Sequence, residues 1–376
     1  LREKQTLRRI IAFAQSFGRR CYEEQDNVKA LLEEFLAGAV EIGSTTGDAD
    51  ALRRVTPGEV AERLGVLEQR YNQRGRLGGL ASGIADLDRT IDGFKGKHVY
   101  VFAGRPAMGK SAFGVECAEH ICIGAAERVP VAIFSLEMPR EQLIDRILLK
   151  RAEIELGRLR DGFMSEADFP RLTKSAQEII GGHLYIDETP GLTIAQFRSR
   201  ARRAVLKHGV KLIVIDYVQI MKGSSRRGQD NRALELQEIM QGIRETAKTL
   251  DVPVIVLAQI NRTAEERSQA RPTLADLKES GAIEEEANVV GILYRPGYYA
   301  KTDEQKKKLA EKHKITIDER GAWEAELERL AELDIAKHRN GGVGTIKLRF
   351  DGKFTRFTGV TTKVWSNAEE ERQDLA

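Results

Sequence analysis

The sequence predicts an α/β domain, a mostly parallel sheet covered by helices, closed by an antiparallel hairpin and preceded by a separate helical unit. Three observations carry this. From Gly75 onward, short runs dense in valine and isoleucine alternate with helical stretches. A glycine-rich turn follows the first of those runs and opens a helix. Near the end, two segments of alternating apolar and polar residues flank an Asp351-Gly352 turn, the pattern of a hairpin.

Residues 1–43 read as helices, with Leu7, Ile10, Ile11, Ala14 and Phe17 at helical spacing, then Val28, Leu31, Leu32, Phe35 and Leu36. A break is expected within Gly18 to Asn27. Residues 44–75 read as a linker: polar Gly43 to Asp50 leads to one helix from about Pro57 to Tyr71, which cannot bury both faces alone and is expected to dock on another surface. The α/β domain is expected over 76–361, with 362–376 a polar tail. Its strands are expected at Lys97 to Ala103, Val129 to Leu136, Leu184 to Asp187, Lys211 to Asp216, Val252 to Gln259 and Asn288 to Tyr294. The antiparallel end follows at Glu332 to His338, Thr345 to Phe350 and Lys353 to Thr358. Between them, charged residues 301–330 read as a surface insertion of two helices broken at Gly321.

The bulk properties narrow the class. A chain of 376 residues is long for one core and predicts two or three folding units. With 41% hydrophobic and 31% charged residues it has no fibrous or disordered bias. A net charge of +3 neither points to nucleic acid nor excludes it, because basic groups can be gathered in a channel under a mixed exterior. Cys21, Cys117 and Cys122 form no CxxC, which argues against a disulfide framework or zinc site and fits a reducing compartment. No apolar run reaches the length of a membrane span and no signal-peptide core opens the chain, so a cytoplasmic protein is expected. Leu1 falls inside an amphipathic pattern, which predicts a piece of a longer protein.

Gly104-Arg105-Pro106-Ala107-Met108-Gly109-Lys110-Ser111 satisfies GxxxxGK[ST] between a strand and a helix expected from Ala112 to about Ile123. Glycines let backbone N–H groups turn toward phosphates, and the helix N-terminus adds positive potential. Lys110 is expected to bridge β and γ oxygens, and Ser111 to ligate Mg²⁺. Leu212-Ile213-Val214-Ile215-Asp216 supplies a buried strand ending in the acid that partners such a loop. Glu137, after Phe134-Ser135-Leu136, can activate water, and Gln259, ending Val254 to Ala258, can sense the γ-phosphate. All three sit where a doubly wound sheet gathers its ligands, beyond the carboxyl ends of strands.

These stretches resemble the bacterial DnaB family of replicative helicases, hexameric enzymes with a RecA-like core. The resemblance rests on GRPAMGKSAF (104–113), FSLEMP (134–139), LIVIDYVQIM (212–221), VPVIVLAQINR (252–262), RPTLADLKESGAIEEEANVV (271–290) and AKHRNGGVGTIKLRF (336–350), in the family's order and spacing. It is strong over about 75–360 and weaker over Leu1 to Ile42, similar to the last helical part of the family's N-terminal domain. It implies a homo-hexamer that binds ATP and Mg²⁺, hydrolyses ATP between subunits, moves along single-stranded DNA, displaces the other strand and meets primase and a helicase loader. It places the nucleotide lysine at Lys110, the Mg²⁺ hydroxyl at Ser111, the general base at Glu137, the Walker B acid at Asp216 and the sensor at Gln259. It places an arginine finger at Arg339 and a second cation at Lys337, both reaching a neighbouring subunit's γ-phosphate. DNA contact falls on Lys278, Glu279 and Gly281, with Arg226, Arg227 and Arg232 of a second loop lining the channel.

On residues alone, Lys337 and Arg339 read first as the solvated face of an edge strand, and Lys278 to Gly281 reads equally well as a helix start with charges in its first turn. The chain departs from the family's pattern in three places. Asn340-Gly341-Gly342-Val343-Gly344 stands where the family has Asn-Gly-Pro-Thr-Gly, Lys278 stands for an arginine, and the 301–330 insertion is long. A RecA-type recombinase shares the sheet and the loop but forms filaments, and a non-catalytic ring component would lack Glu137 and Arg339.

Overall fold

The computed structural model describes residues 2–23, 31, 35, 38, 54–72, 77–155, 157–158, 163–224, 231–260, 271–318 and 322–361. The chain divides into two units, Leu1–Arg74 and Gly75–Ala376.

In the first unit, α1 (Arg2–Glu23) runs through Gly18 without interruption, so the expected break does not begin there. The rest of that expected break, like most of the second helical pattern, falls outside the described residues. Phe13 stacks with both Phe17 and Phe35, and Phe17 meets Phe35 at a tilt. Helix α2 (Pro57–Asn72) matches the expected linker helix. Its first turn is fixed by Thr56 and Glu59, the Glu59 carboxylate accepting from both the backbone N–H and the hydroxyl of Thr56. Val60, Leu64, Leu67 and Tyr71 leave one apolar face of it exposed.

The second unit is organised by one nine-stranded sheet in the order β3-β2-β4-β5-β1-β6-β7-β8-β9. The strands are β1 (Val99–Gly104), β2 (Val131–Ser135), β3 (Leu184–Asp187), β4 (Leu212–Asp216), β5 (Val254–Gln259), β6 (Val289–Tyr294), β7 (Leu330–His338), β8 (Gly344–Asp351) and β9 (Arg356–Gly359). Pairings from β3 across to β6 are parallel, and those from β6 to β9 antiparallel. This is the mixed sheet the sequence predicts, with boundaries shifted by up to two residues except at the last strand, which begins three residues later than expected, at Arg356. Strands β1, β2 and β4 are buried along their whole length, as required of strands with helices on both faces.

Alternate residues of each strand feed two cores. Tyr100, Phe102, Ile133, Val214 and Leu257 point to one side, joined by Phe113 of α4 (Lys110–Glu119) and by Phe350 and Phe357 of the antiparallel end. Val101, Ala132, Ile213 and Val256 point to the other, against α7 (Ile194–His208) and α8 (Arg232–Leu250). Each large core side chain contributes roughly 1.5–3 kcal/mol of burial. Four elements lie between α4 and α7 or follow β5: α5 (Arg140–Arg151), α6 (Asp168–Ile180), a 3₁₀ turn (Leu274–Ser280) and α9 (Gly281–Glu286). Helix α3 (Ala85–Ile91) precedes β1, and α10 (Pro296–Tyr299) follows β6. Within the expected insertion, α11 (Asp303–Lys312) and α12 (Ala322–Arg329) form and share a small core of Ala310, Trp323 and Leu327.

Candidate nucleotide site and its distant cations

The register of the sheet brings the predicted residues to one edge. Gly104 pairs with Gln259 across β1 and β5, and Ser135 with Asp216 across β2 and β4. The P-loop leaves β1 there and enters α4, which begins at Lys110 rather than at Ala112 and ends in a π turn, His120–Gly124. Gly109 has φ 91°, and a Cβ on it would come within 2.8 Å of the Phe357 ring, so both conformation and space require glycine. Ala107 also takes a positive φ, 65°.

The loop's side chains divide in direction. Pro106 and Ala107 are exposed, and Met108 is fully buried. Arg105 turns inward, 4% exposed, and donates from Nη1 to the Ile260 carbonyl at 3.0 Å, tying the loop to the end of β5. Lys110 is buried and donates from Nζ to the Arg105 carbonyl at 3.3 Å, folded back over the cradle that phosphates would fill. Burial pushes its ammonium below the usual range, against the attraction of Asp216 and Glu137 and with repulsion from Arg105.

Asp216 is 3% exposed and its Oδ1 has no hydrogen-bond partner. Burial pushes its carboxyl up to about 6; a hydrogen bond with Ser111 opposes this, the charge of Glu137 adds to it, and Lys110 and Arg146 oppose it again. A buried, unpartnered carboxylate oxygen beside a serine hydroxyl is a donor set that fits a hard cation such as Mg²⁺, which takes one or two protein oxygens and phosphate for the rest. Among the described residues no cluster of three or more His, Cys, Asp or Glu could hold a metal by itself. Glu137 is exposed at the mouth of this edge. The turn carrying it is fixed at both ends, by Leu136 N–H donating to the Asp216 carbonyl at 2.7 Å and Ser135 Oγ donating to the Met138 carbonyl at 2.7 Å.

Sequence reasoning missed a platform beside the loop. Arg295, just after β6, lies over the Phe350 ring at 4.0 Å and within 6.0 Å of Tyr298. Its Nη1 donates to the Ala107 carbonyl at 3.4 Å, and its Nε is buried without a partner. Burial lowers its basicity. The only sequence signal was an arginine ending a buried strand, legible only once β8 is known to lie two strands away.

Lys337 and Arg339 stand elsewhere. His338 pairs with Val289 at the start of β6, whereas Leu293 near its end pairs with Gly104. Four residues of strand separate the two levels, about 13 Å. The pair therefore lies toward the opposite end of the sheet from the P-loop of its own chain. Both side chains cap the last turn of α9, Lys337 Nζ donating to the Glu284 carbonyl and Arg339 Nη2 to that of Glu285. Burial lowers the Lys337 ammonium, and the charge of Arg339 lowers it further.

Helix α9 in turn follows the stretch expected to touch DNA. Lys278 and Glu279 belong to the 3₁₀ turn Leu274–Ser280, held at its start by Thr273 and Asp276, so this stretch is a capped turn rather than an open loop. Gly281 opens α9 with φ −48° and open space where a Cβ would be, so nothing in this arrangement demands a glycine. Arg226 and Arg227 lie outside the described residues. Arg232 opens α8, pairs with Glu235 and donates to the Gln219 carbonyl, so its guanidinium is engaged within the domain.

Comparison with known proteins agrees with this architecture. Residues 79–359 match the model of the DnaB-like helicase C-terminal domain. The chain belongs to the DnaB-like replicative DNA helicase family. It is 34% identical to the replicative DNA helicase DnaC of Bacillus subtilis, over 95% of this chain and 73% of that protein. It is 33% identical to DnaB of Geobacillus stearothermophilus over the same shares, and 37% identical to DnaB of Rickettsia typhi, over 82% of this chain and 62% of that one. A solved DnaB-like replicative helicase, described with its interactions with primase, superposes with TM-score 0.74 at 28% identity, covering 96% of this chain and 77% of that one. A second solved structure, an isolated ATPase domain, superposes with TM-score 0.69 at 30% identity, covering 81% of this chain and 100% of that one. The chain is thus a DnaB-type ATP-dependent DNA helicase with a RecA-like, nucleotide-binding domain. No described helix is long and apolar enough to cross a membrane.

Proposed function

We propose that this chain assembles as a homo-hexameric ring, hydrolyses ATP at the interfaces between subunits, and uses the cycle to move along single-stranded DNA and part the duplex ahead. The observation that carries the reading is the separation within one chain. Lys110, Ser111, Glu137, Asp216 and Gln259 converge at one end of the strands, while Arg339 and Lys337 lie toward the other. A cation about 13 Å of strand away cannot complete its own site, but a head-to-tail neighbour can bring it to the next one.

In that arrangement the P-loop backbone and Lys110 hold the phosphates, and the Arg295–Phe350 shelf offers a planar surface for the base. Ser111 and Asp216 would hold Mg²⁺, which neutralises phosphoryl charge. Glu137, exposed and fixed by its turn, takes the proton from the attacking water. The Gln259 amide reads whether a γ-phosphate is present. Arg339 of the neighbour, leaving its seat on α9, neutralises charge as the phosphoryl group transfers, with Lys337 beside it. Lys278 and Glu279, with the backbone at Gly281, are proposed to meet DNA phosphates, alongside Arg226, Arg227 and Arg232. Such contacts predict steep salt dependence and little sequence preference. Primase and a loader are proposed as partners, the former through the helical unit ahead of Gly75.

A forked DNA duplex, ATP and Mg²⁺ test the whole reading. The chain is expected to separate the strands in an ATP-dependent way. ATP hydrolysis that is stimulated by single-stranded DNA, yet never accompanied by strand separation, would reduce the proposal to translocation alone.

A further inference from the structure

At the end of β5 the sheet has a gap on one side. Pairing of β4 with β5 ends at Ile215 and Val256, while β5 continues to Gln259 along β1. Beyond Asp216 the chain leaves the sheet and turns through the 3₁₀ segment Val218–Ile220. In a parallel strand the N–H and C=O of one residue face the same neighbour, and those of the next residue face the other. Ile260 N–H donates toward β1, to the Gly104 carbonyl at 3.1 Å, so the peptide groups of Gln259 face the side β4 has vacated.

The side chain of Gln219 occupies that place. Its Nε2 donates to the Gln259 carbonyl at 3.0 Å, and its Oε1 accepts from the Gln259 N–H at 3.1 Å. One carboxamide thus supplies both halves of a strand pairing. The Gln219 carbonyl in turn accepts from Arg232 at the start of α8, a few residues after Arg226 and Arg227 in sequence.

We infer that Gln219 is a positioning residue for ATP hydrolysis: its amide fixes the backbone of Gln259, and so the aim of the Gln259 side chain, and links that aim through its own carbonyl to Arg232 at the start of α8. The inference rests on the proposed role of Gln259 as γ-phosphate sensor. Gln219 touches no reacting atom; it acts by holding one that does. A side chain displaced by about 1 Å from its working position can cost on the order of 10²-fold in rate. Nucleotide affinity, carried by the P-loop and Asp216, has no reason to change.

The test compares Gln219→Met, which keeps the length and loses both bonds, with Gln219→Glu, which keeps only the acceptor, and with Gln259→Ala and the Gln219→Met/Gln259→Ala pair. Turnover is measured with and without oligo-dT, and affinity with a fluorescent ATP analogue. Gln219→Met is expected to lower kcat by about 10- to 100-fold and to abolish stimulation by oligo-dT while leaving analogue affinity unchanged. Gln219→Glu should fall between it and the parent, and the pair should be no slower than Gln259→Ala alone. Parental kcat and stimulation in Gln219→Met, beside a damaged Gln259→Ala, would overturn the inference and leave the sensor role standing, as would losses that add in the pair. Parental behaviour of Gln259→Ala would remove the sensor role and the inference together. Should Gln219→Met fail to fold, the decision passes to Gln219→Glu, where parental kcat and stimulation would contradict the inference.

Discussion

The P-loop edge and the β7 end treat charge in opposite ways. At the P-loop edge, Lys110 and Asp216 are buried, each pushed by desolvation toward its neutral form, with a carboxylate oxygen left unpartnered. At the β7 end, Arg339 is exposed and satisfied, capping α9 within its own chain. The first region is preorganised for a ligand and stores the cost of unpaired buried charge until one arrives. The second is at rest without one, and on the proposed reading its cations would exchange backbone carbonyls for phosphate. The difference is what the proposed shared site requires: one half built within a chain, the other to be supplied by a neighbour.

The largest predicted effect tests that division. Arg339→Ala is expected to lower ATP turnover by about 10³–10⁵-fold while leaving nucleotide binding and the melting temperature close to the parent, because the residue is exposed and its backbone bond to Asn288 survives. A large drop in melting temperature would mean that capping α9 is its main role. Next is Glu137→Gln, expected to cost about 10²–10⁴-fold in kcat with ATP affinity retained, measured by single-turnover hydrolysis beside a binding titration. Loss of binding in step with turnover would move Glu137 from chemistry to ligand holding.

A smaller effect sharpens the P-loop side. Arg295→Ala removes the shelf over Phe350, and about 1–3 kcal/mol of base stacking is at stake. KM for ATP should rise by about 5- to 150-fold with kcat little changed, and the penalty should be much reduced for a triphosphate lacking a base. Equal penalties for both would place Arg295 in loop support through Ala107 instead.

The smallest effect concerns stability. The folded pKa of Asp216, about 6, lies above its ordinary value of 3.8. Between those values the folded state holds the proton more tightly than the unfolded one, so this group's contribution to stability falls as pH rises through that window. Asp216→Asn should therefore raise the melting temperature of the nucleotide-free protein at pH 7 and gain little at pH 4. A gain of equal size at both would show that the carboxylate is not held against its solvation.

Much of the fold was legible because a parallel sheet buried on both faces writes itself as valine and isoleucine runs, and because Gly109 is forced by both torsion and space. The cradle, Asp216 and Glu137 follow from strand ends, which the pattern marks within a residue or two. The inward turn of Arg105, the Arg295–Phe350 shelf and the Gln219 clamp were not legible. Each depends on which strands become neighbours, and Gln219 and Gln259 are forty residues apart. The parking of Lys337 and Arg339 on α9 was hidden for the same reason, whereas the helical start that the residues offered around Lys278 to Gly281 is there, as a capped 3₁₀ turn that runs into α9.

The shared site is tested most directly by mixing subunits. Arg339→Ala subunits keep Glu137, and Glu137→Gln subunits keep Arg339, so neither population alone has a complete site, yet a mixed ring contains interfaces that do. ATPase measured across mixing ratios is predicted to rise from near zero at either end to a maximum near equal proportions. A flat, inactive response at every ratio, with mixed rings verified by a tag on one variant, would contradict a site completed by the neighbour.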